Sequence, residues 1–411
     1  MTKDHEVLST NSKIHKLYEN KFPILITIGF FLMMSYLAFF HNIIWGGYDT
    51  DGIHYLNFGK TILEGNGTNV KVLNGQIGGP ILFAFLDSIS SDTFATVKTI
   101  AILSGSGIVL LSFFITKNIF NYRIAILTQL FIAFNPMLHY ISINALNELL
   151  PIFIIFVSLY VVTKKQLSFF DYTIIGISLG LASLFRLQAI FVLFPILIFI
   201  LLRNKKTIKN TLNLLTVLIF FSLLFSPQIM YNLSTHGVML DSGINYYVGS
   251  LYAFQNPDWH NEILSQDHTT SLYSIITLDF NLFLKNYLYN LSIHNFDKLF
   301  NFGINSFESL SIVSLIPFLG LVFFLGGLSY LIYNKQIFPK NFLPLLILPL
   351  IYFPLISIIP VYRSFHLLPM WLPIIIICVL FIVYIIPKGF SLKQNSLKNT
   401  SFNKNQKLHL S

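Results

Sequence analysis

Apolar residues fill ten long runs along the chain, at 22–41, 93–116, 123–141, 145–163, 170–186, 188–202, 211–230, 311–333, 341–360 and 365–386, with polar stretches between them. Apolar runs of about 17–22 residues have the length of helix that crosses the hydrocarbon core of a bilayer. The pattern predicts an all-α polytopic membrane protein of about ten transmembrane helices with outer juxtamembrane helices. Basic residues mark alternate loops. Lys3, Lys13, Lys16 and Lys21 precede the first run, Lys117 and Arg123 flank the second loop, and Lys164 and Lys165 occupy the fourth. Arg203, Lys205, Lys206 and Lys209 mark the sixth, Lys335 and Lys340 the eighth, and the tail is basic. Lys and Arg accumulate in cytoplasmic loops, so both termini are expected in the cytoplasm.

The outer side then receives two long segments, 42–92 and 231–310. Between them, the third and fourth runs and the fifth and sixth are joined by only a few residues, which suggests a cavity open outward. The organisation expected is a cytoplasmic segment at 1–21, a transmembrane domain at 22–387 that includes both outer loops, and a disordered cytoplasmic tail at 388–411 rich in Asn, Lys and Ser. The first run lacks a small-x-small cleavage site and reads as a retained anchor rather than a removed signal peptide. In the second outer loop, Phe280, Phe283, Leu284, Tyr287, Leu288 and Leu291 form an i, i+3, i+4, i+7 stripe. Such a helix either lies in the interface with its aromatic face in lipid or packs on the bundle from above.

Composition sharpens this picture. At 54% hydrophobic and 10% charged, with a mean hydropathy of +0.69, the chain is too apolar for a soluble globular protein. A net charge of +9 would suit a nucleic-acid partner, but the basic residues sit in short clusters between apolar runs, so none is expected. The single cysteine, Cys378, lies inside an apolar run and excludes an intrachain disulfide, and no zinc-type Cys/His spacing occurs.

Acids are scarce, yet Asp49 and Asp51 stand two residues apart just after the first run, in "YDTDGIHYLNFGKTILEGNG". A spacing of four places Tyr55, Gly59 and Leu63 on one helical face behind Asp51. Two readings of Asp51 stand together. One is a helix cap, favoured by exposed N–H groups and the dipole; the other is a general base whose pKa a low-dielectric wall can raise. Asp49 caps as well, or joins Asp51 on a cation; no cofactor is expected, and a divalent metal is left open. The same outer side carries Glu148 near the start of the fourth run, Arg186 at the tight turn between the fifth and sixth, and Arg363 and His366 at the start of the last. Ionisable groups at membrane depth are costly unless paired or solvated, and they default to function. Against that stand snorkelling to the outer headgroups for each arginine and a buried salt bridge between Glu148 and Arg186. As chemistry, a carboxylate taking a proton from an acceptor while arginines hold a phosphate leaving group describes transfer from a lipid phosphate.

These segments together resemble the polytopic GT-C glycosyltransferases, in the protein O-mannosyltransferase and aminoarabinose-transferase superfamily. The first outer loop is similar to that family's D-x-x-x-Y-x-x-x-(small)-x-x-x-L-x-x-G pattern through Asp51, Tyr55, Gly59 and Leu63, with Asn66 in place of the closing glycine. "GGPILFAFLDSI", "NPMLHYISINALNELL", "GLASLFRLQAIFVLFP", "SPQIMYNLSTHG" and "YRSFHLLPMWLP" resemble later elements in order. The resemblance implies extracytoplasmic transfer of a sugar from a polyprenyl-phosphate carrier to a protein, lipid or glycan acceptor, usually with inversion. Asp51 matches the catalytic acid, and Arg186 and Arg363 match the basic residues that hold the carrier phosphate. Two departures stand out: Gly52 replaces the second acid found in many relatives, leaving its role to Asp49 or Glu148, and Gly79 replaces a lysine before the juxtamembrane Pro80.

Rival readings are an outer-leaflet polysaccharide polymerase or ligase, a transporter or flippase of lipid-linked sugars, and an assembly protein without catalysis. A polymerase would place several arginines in the large loop, which has Lys285 and Lys298 and no arginine. A transporter would carry charges along a mid-membrane path, whereas the first, second, eighth and ninth runs are nearly charge-free.

Overall fold

Short polar side chains at the edges of the apolar runs decide where four of the described helices begin. The computed structural model describes residues 3–40, 49–64, 76–144, 148–203, 208–237, 239, 276–277, 280–300, 315–333, 339–358 and 367–385. Among these residues the regular elements are all helical: α1 (Lys3–Phe39), α2 (Asp49–Leu63), α3 (Gly78–Ile89), α4 (Thr93–Ile119), α5 (Tyr122–Ala133), α6 (Pro136–Ile143), α7 (Leu149–Val162), α8 (Phe169–Phe185), α9 (Ile190–Arg203) and α10 (Ile208–His236). There follow α11 (Phe280–Tyr289), a π turn (Asn290–His294), α12 (Asn295–Phe300), α13 (Leu315–Tyr333), α14 (Leu343–Ile356) and α15 (Leu368–Tyr384). Asp92 starts α4 by accepting from the Ala95 N–H at 2.9 Å, and Asn121 starts α5 by accepting from Ile124 at 3.1 Å. A reciprocal box of Ser168 and Asp171 opens α8.

Each of the ten apolar runs is largely helical over its described residues, but the run at 123–141 is not one span. It breaks into α5 and α6 with a bend of 53°. The cause is local: Pro136 has no N–H and clashes with the preceding turn, and Asn135 caps a new helix by accepting from the Leu138 N–H at 3.0 Å. Three stretches, Lys21–Phe39, Thr93–Ile119 and Asn210–Thr235, are long and apolar enough to cross a membrane, and the bent pair makes a fourth if taken as one span. The remaining apolar helices run 10–17 residues. Ten complete crossings are therefore not established by helix length, because caps and breaks take residues that an apolar run counts as span. At the other end of the first run, α1 continues back to Lys3, so the polar lead-in is continuous with the first apolar helix.

The core is built around α15, whose residues from Leu368 to Leu380 are all buried. A helix that is apolar all round belongs at the centre of a bundle, and α5, α7, α13 and α14 surround this one. By contrast α10 leaves Leu212, Leu215, Ile219, Leu223 and Met230 exposed, the face a lipid-contacting helix presents. It joins the bundle through α8, where Gly176 and Gly180 let the backbones meet. A Cβ at either position would lie 2.6 Å from the carbonyl oxygen of Val217 or Phe221, respectively. Small residues four apart are the usual means of close helix packing in lipid.

One end of the bundle, read from the basic loops as cytoplasmic, is closed by charge. Lys164 pairs with Asp171 at 2.8 Å, and Arg203 donates to the carbonyls of Lys164 at 2.9 Å and of Lys165 beyond the end of α7. Asn121 donates to the Tyr384 hydroxyl at 3.0 Å, tying α5 to the end of α15. The starts of α7 and α15 and the ends of α8 and α14 lie at the opposite end.

The glycine contacts yield a paired expectation. Gly180→Leu should lower the thermal unfolding midpoint in detergent, with a cost of about 1–3 kcal/mol for overpacking or more. Gly29→Ala, where an added Cβ meets nothing within 4 Å, should leave the midpoint unchanged or slightly raised. Equal behaviour of the two variants would contradict the close approach of α8 and α10.

Candidate active site

The first outer segment folds as a helical pair, α2 and α3. Asp49 and Asp51 both fall in the first turn of α2, which starts two residues earlier than a helix led by Asp51 alone. Gly52, Phe58 and Gly59 are buried, Tyr55 is half-buried, and Leu63 at the end of the expected stripe is exposed. The spacing of Tyr55 and Gly59 is explained by α3. Gly59 lies directly against the Pro80 carbonyl, where no side chain fits, and the Tyr55 ring tilts over Phe83 at 5.7 Å. Lys60 pairs with Asp87 at 2.8 Å. The Lys60 ammonium, followed by the Thr93 hydroxyl, holds the Asp87 carboxyl below the usual carboxylate range.

The start of α3 is then fixed to two other segments. Gly78 is buried against the end of α8, where an added Cβ would lie 2.7 Å from the Leu184 carbonyl and 2.9 Å from the Phe185 nitrogen. The Ile77 N–H donates to the buried Gln228 Oε1 at 3.0 Å. Gln228 in turn donates to Asn232 Oδ1 at 2.8 Å, and Asn232 donates to the Met239 carbonyl at 3.0 Å. An edge contact of Phe58 with Tyr231 at 6.3 Å adds α2 to the same wall. From sequence, Gln228 and Asn232 stand within "SPQIMYNLSTHG" with no structural role assigned to either; two amides four apart on one face of a long apolar helix were the available signal.

Next to Phe185 comes Arg186, in an extended conformation (φ −147°, ψ 111°) between α8 and a short 3-10 turn, Leu187–Ala189. Its guanidinium forms an ion pair with Glu148, which stands at the N-cap position of α7 and is 2% exposed. The salt bridge between Glu148 and Arg186 weighed from sequence is thus present. A buried pair of this kind is held because neither charge tolerates the apolar surroundings alone. Glu148, Arg186, Gln188, Tyr352 and Pro369 surround a cavity of about 20 Å³. The Arg186 Nε and Gln188 Oε1 atoms are buried with no hydrogen-bond partner.

The second outer segment is anchored by asparagines. Asn290 and Asn295, both buried, donate to the carbonyl and hydroxyl of Ser357 at 3.3 Å each, at the end of α14. The packing half of the segment is thus the π turn and α12, with Leu299 and Phe300 buried. Of the stripe that begins on α11, Phe280, Leu284 and Leu288 are exposed, while Phe283, Tyr287 and Leu291 are half-buried, with Phe283 stacked on Tyr287 at 6.3 Å; partial exposure of this kind suits an interfacial helix.

The structure thus brings Tyr55, Glu148 and Arg186 into elements that meet at one end of the bundle. It gives the backbone position of Asp49 and Asp51 in the first turn of α2, while their side chains, and Arg363 and His366 entirely, lie outside the described residues. Among the described residues no three His, Cys, Asp or Glu side chains gather as a metal site.

Residues 77–231 match the family model of dolichyl-phosphate-mannose-protein mannosyltransferases. The Ile77–Gln228 hydrogen bond ties this matched segment nearly end to end. Two solved structures of the oligosaccharyltransferase from Archaeoglobus fulgidus are similar in fold. The apo form superposes with a TM-score of 0.54 at 14% identity, and the archaeal AglB in complex with an inhibitory peptide and a dolichol-phosphate with 0.51 at 15%. Each alignment covers 92% of this chain and 52% of the other, so the chain spans about half the length of these proteins. No curated protein matches in sequence. Helical architecture, matched segment and structural likeness agree: the chain has the fold of the GT-C type membrane glycosyltransferases.

Proposed function

We propose that the protein is an integral membrane glycosyltransferase that moves a sugar from a polyprenyl-phosphate carrier to an acceptor hydroxyl at the extracytoplasmic end of the bundle. The observation that carries this reading is the meeting, at one end of the bundle, of α2, α3 and the Arg186 turn, within and beside the segment matching the mannosyltransferase model. The similar archaeal enzyme was solved with a dolichol-phosphate and a peptide, which favours a lipid-phosphate donor and a protein acceptor.

In the reaction, Asp51 takes the proton from the acceptor hydroxyl as that oxygen bonds to the anomeric carbon. The bond from the anomeric carbon to the carrier phosphate oxygen breaks, and polyprenyl phosphate leaves. A single displacement of this kind inverts the anomeric centre. Arg186 and Arg363, with His366 three residues further along the chain, stabilise the departing phosphate, the largest expected contribution to rate. Asp49 assists Asp51 from the same turn. Tyr55, half-buried against Phe83, lines the sugar site.

In membranes supplied with a polyprenyl-phosphate sugar, Asp51→Asn should cut transfer by about 10²–10⁴-fold, the usual worth of a general base, with expression and unfolding midpoint preserved. Full activity would remove Asp51 from the mechanism. Arg363→Ala should raise the KM for donor while leaving that for acceptor; an unchanged donor dependence would refute its phosphate role. Glu148→Ala should cost about 3–5 kcal/mol of stability by stranding the Arg186 charge. The double variant Glu148→Ala/Arg186→Met should recover much of that loss in the same unfolding assay.

A further inference from the structure

Arginine presents five N–H donors in a fixed fork, and the ion pair with Glu148 leaves part of that set unspent. The Arg186 Nε–H is buried without a partner, beside a cavity that Gln188 and Tyr352 also line. The cavity, about 20 Å³, has room for one water or one small polar group. Arg186 sits on extended backbone between α8 and a 3-10 turn, so its side chain can reorient without unwinding a helix. Glu148 likewise makes no side-chain hydrogen bond to the N-terminal backbone of α7, so nothing else in its own helix holds the carboxylate where it is.

We infer that Glu148 is the resting counterion of Arg186 and yields it to the phosphate of the carrier. Glu148 is thereby a positioning residue that sets donor affinity. The inference rests on the phosphate role proposed above for Arg186. A carboxylate and a phosphate on one guanidinium repel each other strongly where water is scarce, so binding of the second requires displacement of the first. The displaced carboxylate needs new donors, because an unpaired buried charge is too costly to persist. The Gln188 amide, in the wall of the same cavity, supplies them. Arg186 then turns its unspent donors to the phosphate oxygens, a pairing that suits its planar fork. No bond is made or broken in the exchange, and the net charge of the site changes only by that of the incoming phosphate.

Counterion exchange and a purely structural salt bridge differ in sign. If Glu148 competes with the phosphate, Glu148→Gln should tighten binding; if Glu148 merely holds Arg186 in place, the same change should weaken it or do nothing. The measurement is binding of polyprenyl phosphate to the purified full-length protein in nanodiscs, with donor KM and kcat read in parallel. Wild type should bind and Arg186→Met should bind about tenfold more weakly. Glu148→Gln should bind about tenfold more tightly, with a lower donor KM at a kcat within about twofold. Unchanged or weaker binding by a folded Glu148→Gln overturns the exchange. If that variant does not fold, Gln188→Glu serves instead: a second carboxylate beside Arg186 should weaken polyprenyl phosphate binding about tenfold, and unchanged binding overturns the inference. A wild type that fails to bind polyprenyl phosphate overturns the proposed function itself, whereas binding by wild type with no tightening in Glu148→Gln overturns only the exchange.

Discussion

A charge among apolar helices must be answered by another charge, and the Glu148–Arg186 ion pair is where this requirement organises the site. In the resting state it joins the start of α7 to the end of α8, helices that also pack along their length. With the end of α8 held, its last residues offer a backbone surface on which Gly78 seats without a side chain. That contact directs α3, and α2 is laid on α3 through Gly59, the Tyr55–Phe83 contact and the Lys60–Asp87 pair. Asp51 is therefore carried by a helix whose position traces back, contact by contact, through two glycines to the packed α7–α8 pair.

Much of this was legible in the sequence, but not all for the reasons the spacing suggested. Ten apolar runs gave helices because lipid-length apolarity has few other solutions. The break at Asn135–Pro136 was written in a dipeptide that starts helices, yet it lay inside an unbroken apolar run and the run length prevailed in the reading. The four-residue spacing of Tyr55 and Gly59 correctly marked a face, and the structure gives that face an immediate purpose in packing on α3. Glu148 and Arg186 were legible as partners because so few charges interrupt the runs. The Gln228 bond to Ile77 was not, since it joins positions 151 residues apart and nothing local announces a long-range amide contact. The same holds for Asn290 and Asn295, whose partner is Ser357 rather than the aromatic stripe that drew attention to their segment.

The two arginines at the ends of the α7–α8 pair show how burial alone fails to separate structure from function. Arg203 spends its guanidinium on main-chain carbonyls just past the end of α7, at Lys164 and Lys165, with a longer contact of 3.5 Å to Val162. There it does what a cation at a helix C-terminus does, satisfying orphan carbonyls and complementing the dipole. Its donors face oxygen atoms of the chain that cannot leave. Among the described residues Arg186 faces the side-chain carboxylate of Glu148, keeps a buried N–H unpartnered, and borders a small cavity. A carboxylate on a rotatable side chain is the one kind of counterion that an incoming anion can replace. The difference between these arginines lies in what their donors hold, and it points to Arg186 as the one suited to exchange partners.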